Sequence, residues 1–489
     1  MRTADLAVIA LYLAGITWFG ARFRHTQKSL KDYYLGGRTA PWWAIALSIV
    51  SAETSTLTII GTPSLAFAGN LGFLQVVFGY LLARVVISTL FLPHYFRGEM
   101  FTAYELIGRR FGVRLRRLTA ATFLVVRGLA EGVRVFAISI VISIVLGTGE
   151  IASIVLILCL TLFYTFEGGM TAVIWTDVVQ MFLYVVGAVV SLFVILHHIP
   201  GGWGHVVAVA APAGKFHLFD FGFQFTRQFF SLPYTFWAGV IGGCFLTTAS
   251  HGTEQLFVQR LLAARSQAES RLALLASWVV IFIQFSLFLA IGAILYVFYK
   301  DANLPPPQPP DSLYPGFVWH YLPPGLAGLV IAAVLAAAMS NLSAALNSLS
   351  STTIMDFYRP LRPGHSERTY LRLARGATVV WGLALFGVGV VARHWGPVLE
   401  TGLKVASLAY GGLLGVFLLG VLTKRVGESA AITGMICGLC AVVSVWRGTS
   451  IAWTWYAAIG TSVTFLTGWL ASYVEGARAW LTTKLRSPD

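Results

Sequence analysis

Residues 48–58 read SIVSAETSTLT, and the way this stretch is read decides the fold. Six of the eleven carry a hydroxyl and Glu53 stands among them, yet the stretch lies inside an apolar segment from Trp42 to Phe67. An ionisable group in such surroundings costs on the order of a few kcal/mol unless it is paired or wet. The rest of the chain has the same apolar setting. Of its 489 residues 57% are hydrophobic and 11% charged, against about a quarter charged in an average soluble domain. Mean hydropathy is +0.76, and apolar runs of about 20 residues, the length that crosses a bilayer as a helix, recur from end to end. Hydrocarbon admits only helices and closed barrels, because backbone polar groups find no water there. Barrel strands are short and alternating; these runs are long and apolar on most faces. The expectation is an all-α polytopic membrane protein.

Thirteen spans are expected, near 4–21, 42–67, 72–93, 117–146, 151–167, 172–198, 229–250, 271–298, 323–352, 371–392, 397–421, 428–446 and 453–474. With the N-terminus outside, the inner segments hold 24 of the 34 Lys and Arg and the outer ones six, with Arg84, Arg127, Arg134 and Lys404 inside spans. Basic residues collect on the cytoplasmic side, so the expected place is the plasma (inner) membrane, N-terminus outside and C-terminus cytoplasmic. The net charge of +14 is then mostly a topology signal with some attraction to anionic membrane lipid, and a nucleic-acid partner is not expected. The first span follows Met1–Thr3 without a small-residue cleavage site and reads as a retained helix. Cys159, Cys244, Cys437 and Cys440 all fall in apolar helix, where CGLC at 437–440 reads as packing rather than redox chemistry.

Two spans carry interruptions. The second holds SIVSAETSTLT and then GTPS at 61–64. The seventh, YTFWAGVIGGCFLTTASHGTEQ, mixes Gly239, Gly242, Gly243 and Gly252 with threonines. They stand five spans apart, so two sets of five, 42–198 and 229–421, each open on a glycine- and hydroxyl-rich helix and run in opposite directions. That is the sequence pointer to an inverted-repeat transporter with a midplane site, flanked by an extra helix at 4–21 and two more at 428–474 in one transporter domain, 1–489. The blander reading is that glycine and threonine let helices pack closely. It serves the seventh span better than the second, which holds Glu53.

The other polar groups inside spans are Arg84, Arg127, Glu131, Arg134, Asp177 and Lys404. Arg127, Glu131 and Arg134 recur at i, i+4 and i+7 and can form a ladder on one helix face, or bind solute. AAAMSNLSAALNSLSSTT at 336–353 offers Ser340, Asn341, Ser343, Asn347 and Ser348. A hard cation such as sodium takes oxygen ligands from carbonyls, hydroxyls and carboxylates. If the second span unwinds near Ser51–Thr54, its freed carbonyls can face that helix. Asp177 is a further carboxylate, and His251 follows Thr247, Thr248 and Ser250 in the seventh span. Enzyme signatures are missing: there is no His/Cys cluster with metal spacing, no phosphate loop and no nucleophile elbow.

YYLGGRTAPWWAIALSIVSAETSTLTIIG (33–61), TFEGGMTAVIWTDVVQ (165–180), GTEQLFVQRLLAARS (252–266), AAAMSNLSAALNS (336–348) and GGLLGVFLLGVLTKRVGESAAITG (411–434) together resemble the sodium:solute symporter family over essentially the whole chain. The resemblance implies a LeuT-like five-plus-five core with one helix before and two after. It also implies Na+ as the coupled ion and a small organic solute as cargo. Its main sodium site would fall on Ser51 and Thr54 through backbone oxygens and on Ala337, Ser340 and Asn341, where the family usually has serine or threonine at the last position. A second sodium would use Asp177, Ser340 and Ser343, but the next residue in that set is Ala344, which has no side-chain oxygen. Solute contacts would fall on Glu53, Thr58, Gln75, Thr247, Ser250 and Lys404, with Arg134 and His251 as added candidates. Arg134 and Lys404 favour an organic anion or a zwitterion if they meet solute, and leave a sugar or polyol equally open if they neutralise Glu53 and Glu131. The function expected is sodium-driven symport by alternating access. The alternatives are a proton-coupled carrier on the same fold, a transporter-like sensor and a membrane enzyme.

Overall fold

The computed structural model of the protein describes residues 3–22, 36–97, 100, 103–164 and 170–486. Among them every regular element is a helix, and there is a single isolated bridge between Ala40 and Ala264. The main elements are α1 (Thr3–Ala21), α2 (Trp42–Glu53), α3 (Thr56–Ala68), α4 (Leu74–Val86, prolonged to Tyr95), α5 (Val113–Leu146), α6 (Glu150–Tyr164), α7 (Met170–His198), α8 (Phe236–Thr253), α9 (Gln255–Leu262), α10 (Gln267–Asp301), α11 (Leu326–Thr352), α12 (Glu367–Ala392), α13 (Val398–Leu422), α14 (Glu428–Gly448) and α15 (Tyr456–Arg486). Among the described residues nine helices are long and apolar enough to cross a membrane, or ten when the bent pair α2–α3 counts as one span. The other expected spans coincide with α1, α6 and α8, the last of which closes in a polar turn. α8, the seventh expected span, starts later than its apolar run because Arg227–Ser231 forms a separate turn before Pro233; Thr235 then caps α8 by accepting from Ala238 N–H at 3.3 Å.

Two groups of helices emerge from the packing. α2, α3, α4, α8 and α10 lie against one another, and α5, α6, α11 and α12 form the second group, with α7 and α13 touching both. α4 and α8 pack backbone to backbone: a Cβ on Gly239 would stand 2.8 Å from Gln75 atoms, and one on Gly243 would run into the Val76 carbonyl. Small residues permit this approach where lipid removes the hydrophobic drive between helices.

The buried apolar side chains fall into two large clusters. One contains Leu57, Tyr80 and Val133; the other contains Ala52, Ile87 and Val126. Glu53, Arg84 and Glu131 sit in the sequence between these pairs, so the charged residues form a layer sandwiched between two apolar cores.

Candidate solute and ion site

α2 ends at Glu53, and α3 leaves at 62° to it. The turn is made by Thr54 (φ −82°, ψ 81°) and Ser55 (φ −84°, ψ 174°). Ser55 N–H donates to the Glu53 carbonyl at 3.0 Å and Thr58 N–H to the Ser55 carbonyl at 2.9 Å. In an unbroken helix those N–H groups would have gone to Ser51 and Thr54. The break therefore frees the carbonyls of Ser51 and Thr54 from the helical pattern, and both residues are buried. The Thr54 hydroxyl lies 3.0 and 2.7 Å from the side-chain oxygen and nitrogen of Gln284 on α10. Ser55 and Thr56 face Ala338, Asn341 and Leu342 of α11 across a void of about 10 Å³, the room of a single water. The break and α11 thus come together. Ala337 and Asn341 are buried and Ser343 is half-buried; Ser340 lies in α11 with its side chain outside the described set. Residues 33–35 and 165–169 of the quoted motifs also lie outside the described residues.

Glu53 points into a cavity of about 100 Å³ that Ser55, Thr58, Arg134, Thr247, Ser250, His251 and Glu254 also line. Its carboxylate is not left to solute alone. Arg84 Nη2 reaches it at 2.5 Å and His251 Nε2 stands 3.3 Å away, while Arg84 Nε donates to Ser277 at 3.0 Å. His251 stacks on Phe257 with ring centres 3.9 Å apart, and its Nδ1 is 2.8 Å from the Ser250 hydroxyl. Arg84 was the partner the sequence did not offer: it is 31 residues from Glu53, and no spacing rule links adjacent spans.

α8 is continuous through Thr253 and breaks at Glu254, whose ψ of 136° turns the chain before α9 begins at Gln255. Glu254 meets Arg127 at 3.4 Å, and Arg127 meets Glu131 at 2.8 Å. Arg134 pairs with the same Glu131. The ladder on α5 therefore forms and extends across to the second break. Pairing of this kind is what allows such charges to be buried at all. Arg84, Arg127 and Arg260 are at most 3% exposed, whereas Arg134 is 23% exposed. Arg134 is thus the most exposed arginine of this layer, and it lines the cavity.

Asp177 accepts from the Ser48 hydroxyl at 2.6 Å and from Arg260 Nη2 at 3.0 Å. Arg260, on α9, and Glu254 both sat in the quoted stretch 252–266, and charged residues within that apolar run were the signal that could have found them. Two solute candidates lie apart from the cavity. Lys404 is exposed on α13. Gln75 spends its amide on backbone, accepting from Asp220 N–H at 2.9 Å and donating to the Tyr234 carbonyl at 2.7 Å. Leu399 lines both the cavity and a wider vestibule of about 530 Å³, across which the Tyr234 hydroxyl donates to Glu400 at 2.5 Å.

The sequence model of the sodium:solute symporter family matches residues 33–438. The chain belongs to the sodium:solute symporter family. It is a multi-pass membrane carrier that couples a solute to sodium. Among its relatives, the sodium/sialic acid symporter of Proteus mirabilis is 28% identical over 473 residues, which is 95% of this chain and 94% of that one. The sodium-coupled monocarboxylate transporter 2 of Mus musculus is 28% identical over 91% of this chain and 71% of its own. A solved structure of a Na+-coupled sialic acid symporter, substrate-bound and outward-open, is similar with a TM-score of 0.84 at 28% identity, covering 96% of this chain and 98% of that one.

Proposed function

We propose that this symporter carries a small organic carboxylate into the cell, with Arg134 as the anchor of the carboxylate. The observation that carries the reading is the contrast among the arginines: Arg134 lines the cavity and is 23% exposed, whereas Arg84, Arg127 and Arg260 are at most 3% exposed. An arginine fork suits a carboxylate, and the two relatives described above are named for sialic acid and monocarboxylates, solutes that share that group. Glu53, Thr58, Thr247, Ser250 and His251 would shape the rest of the solute cavity. Lys404 and Gln75 would act from its margins.

Sodium would bind where the freed carbonyls of Ser51 and Thr54 meet Ala337, Ser340 and Asn341. An ion that ties the α2–α3 break to α11 links the two helix groups, so it has differential affinity for the states in which they are together or apart, as coupling requires. Asp177 and Ser343 would serve a second sodium only if Asp177 exchanged Arg260 for the ion. The reading takes the chain as one transporter domain of thirteen spans in the plasma membrane, with the N-terminus outside on the strength of the 24-to-6 distribution of Lys and Arg.

The test is uptake into liposomes under an inward sodium gradient, with sialic acid, lactate and a neutral sugar offered in parallel, and Arg134→Gln and Ser340→Ala beside the parent. Sodium-dependent accumulation of a carboxylate, lost in Arg134→Gln and needing more sodium in Ser340→Ala, is the expected result. Uptake of only the neutral sugar overturns the carboxylate assignment. Uptake that ignores sodium and follows a pH gradient overturns the ion.

A further inference from the structure

Residues 219–226 read FDFGFQFT: phenylalanine at every odd position, and Asp220, Gly222, Gln224 and Thr226 at the even ones. The segment lies outside every helix, and its alternation matches extended chain, in which successive side chains point to opposite faces. The rings of Phe219 and Phe221 stack on each other, centres 5.3 Å apart and planes at 17°, which places them on one side. Phe219, Phe221, Phe223 and Phe225 are 38%, 59%, 61% and 86% exposed. Four phenylalanines in a row are thus turned outward, and the polar positions between them are half-buried or exposed as well.

Water is a poor home for such a face, since an exposed apolar stripe of this kind marks an interaction surface. The hydrocarbon interior is excluded too, because an extended strap with polar side chains along one edge cannot satisfy its backbone there. The boundary between the two satisfies both edges, and amphipathic interfacial segments bury their Phe and Leu edges there. The surroundings place that boundary at the strap. Phe219 stacks on Phe78 of α4 at 5.7 Å. Phe78, Leu82 and Val85 follow at i, i+4 and i+7 on one face of α4, and Leu82 and Val85 are exposed, as are Val279 and Ile283 of α10. That is the apolar flank the two helices turn to lipid, and the phenylalanine row continues it at its end. Phe223 packs on Trp237, an exposed tryptophan at the start of α8, and Arg227, just past the strap, is exposed.

We propose that residues 219–226 form a membrane-surface strap, with the phenylalanine edge inserted at the glycerol–acyl boundary of phospholipid in the leaflet where α8 begins and the Asp220–Thr226 edge turned to water. The strap is also bound to the carrier. Asp220 N–H holds Gln75 of α4 at 2.9 Å and its carbonyl receives Phe236 N–H of α8 at 2.8 Å. Lipid contact therefore fixes the end of the α4–α8 pair at the bilayer surface.

The test replaces Phe223, Phe225 and, as a control, Gln224 singly with p-benzoylphenylalanine in the full chain, reconstituted in phosphatidylcholine–phosphatidylglycerol liposomes. After irradiation the intact protein is weighed by mass spectrometry. Adducts of one phospholipid mass at positions 223 and 225, with little at 224, are expected. A covalent dimer at 223 or 225 would instead make the row a contact between copies and overturn the proposal. Consumption of the benzophenone without a lipid adduct, or equal labelling at all three positions, overturns it as well. A Phe223→Ser/Phe225→Ser variant, which leaves the solute cavity and the ion donors untouched, should label fewer lipids from a probe at Phe221 and run several-fold slower in liposomes; unchanged labelling from Phe221 would count against the strap.

Discussion

Two helices break inside this molecule, each with a glutamate at the break, and the two glutamates are wired differently. Glu53 is held by Arg84 of α4 and faces His251 of α8, so its charge is balanced within the helix group it belongs to. Glu254 reaches Arg127 of α5, in the other group. The first break is braced from its own side and keeps its carbonyls free. The second is a tie between groups. On the function proposed above, the first break would receive the ion, and the second would be made or lost as the two helix groups come together or part.

The largest expected effect comes from removing the brace. Glu53→Leu leaves Arg84, fully buried, without a carboxylate, and losing one member of a buried pair costs about 3–5 kcal/mol. The melting temperature in detergent should fall sharply, and Glu53→Leu/Arg84→Leu should regain most of the loss. A single variant that melts like the parent would break the comparison at its first term. Next is Glu254→Gln. Arg127 keeps Glu131 at 2.8 Å, so the stability cost should be nearer 1–3 kcal/mol. Turnover should change more than melting does, because the lost contact joins the two groups. Equal melting and unchanged turnover would show that the pair ties nothing.

Thr54→Val sharpens the contrast from the other side. It removes the hydroxyl that meets Gln284 but keeps the carbonyl, at a cost of about 1–2 kcal/mol. The sodium concentration for half-maximal uptake should then stay close to the parent value. A large rise would mean that the side chain, not the backbone, faces the ion. An effect of a different kind, seen only as a pH dependence, lies outside both breaks, at Asp311 in the turn Pro310–Ser312. Its carboxyl accepts from Val398 N–H at the start of α13 at 2.9 Å. Burial pushes its pKa up to about 6, with Glu400 adding to the rise and the Val398 N–H opposing it. A carboxyl with a raised folded-state pKa binds protons more readily folded than unfolded, so stability falls as pH rises from about 4 to about 6. Melting across that range should show the slope, and Asp311→Asn should flatten it.

The first break was legible from sequence because its composition is improbable for a buried span: six hydroxyls and a carboxylate leave little else for it to be. The ladder on α5 was legible for a different reason, since Arg127, Glu131 and Arg134 obey helical spacing. What could not be read was every pairing between spans. Glu53 with Arg84, Asp177 with Arg260 and Glu254 with Arg127 depend on how helices are rotated and shifted against one another, and no single-chain periodicity carries that. The second break lies at Glu254, past the expected end of the seventh span at 250, because glycines and threonines mark the region while one residue makes the turn. The seventh span was the softest reading, since α8 ends in the polar run Thr247–Thr253, and length and composition alone do not qualify it.

The glycine contacts between α4 and α8 have a mechanical meaning. With Gly239 and Gly243 set against the backbone of Gln75 and Val76, the two helices have no side-chain cushion to slide on. They behave as one stiff lever, and any hinge of the transport cycle has to lie elsewhere. A covalent staple between α4 and α8 should then leave uptake running, whereas a staple from α8 to α5 should arrest it.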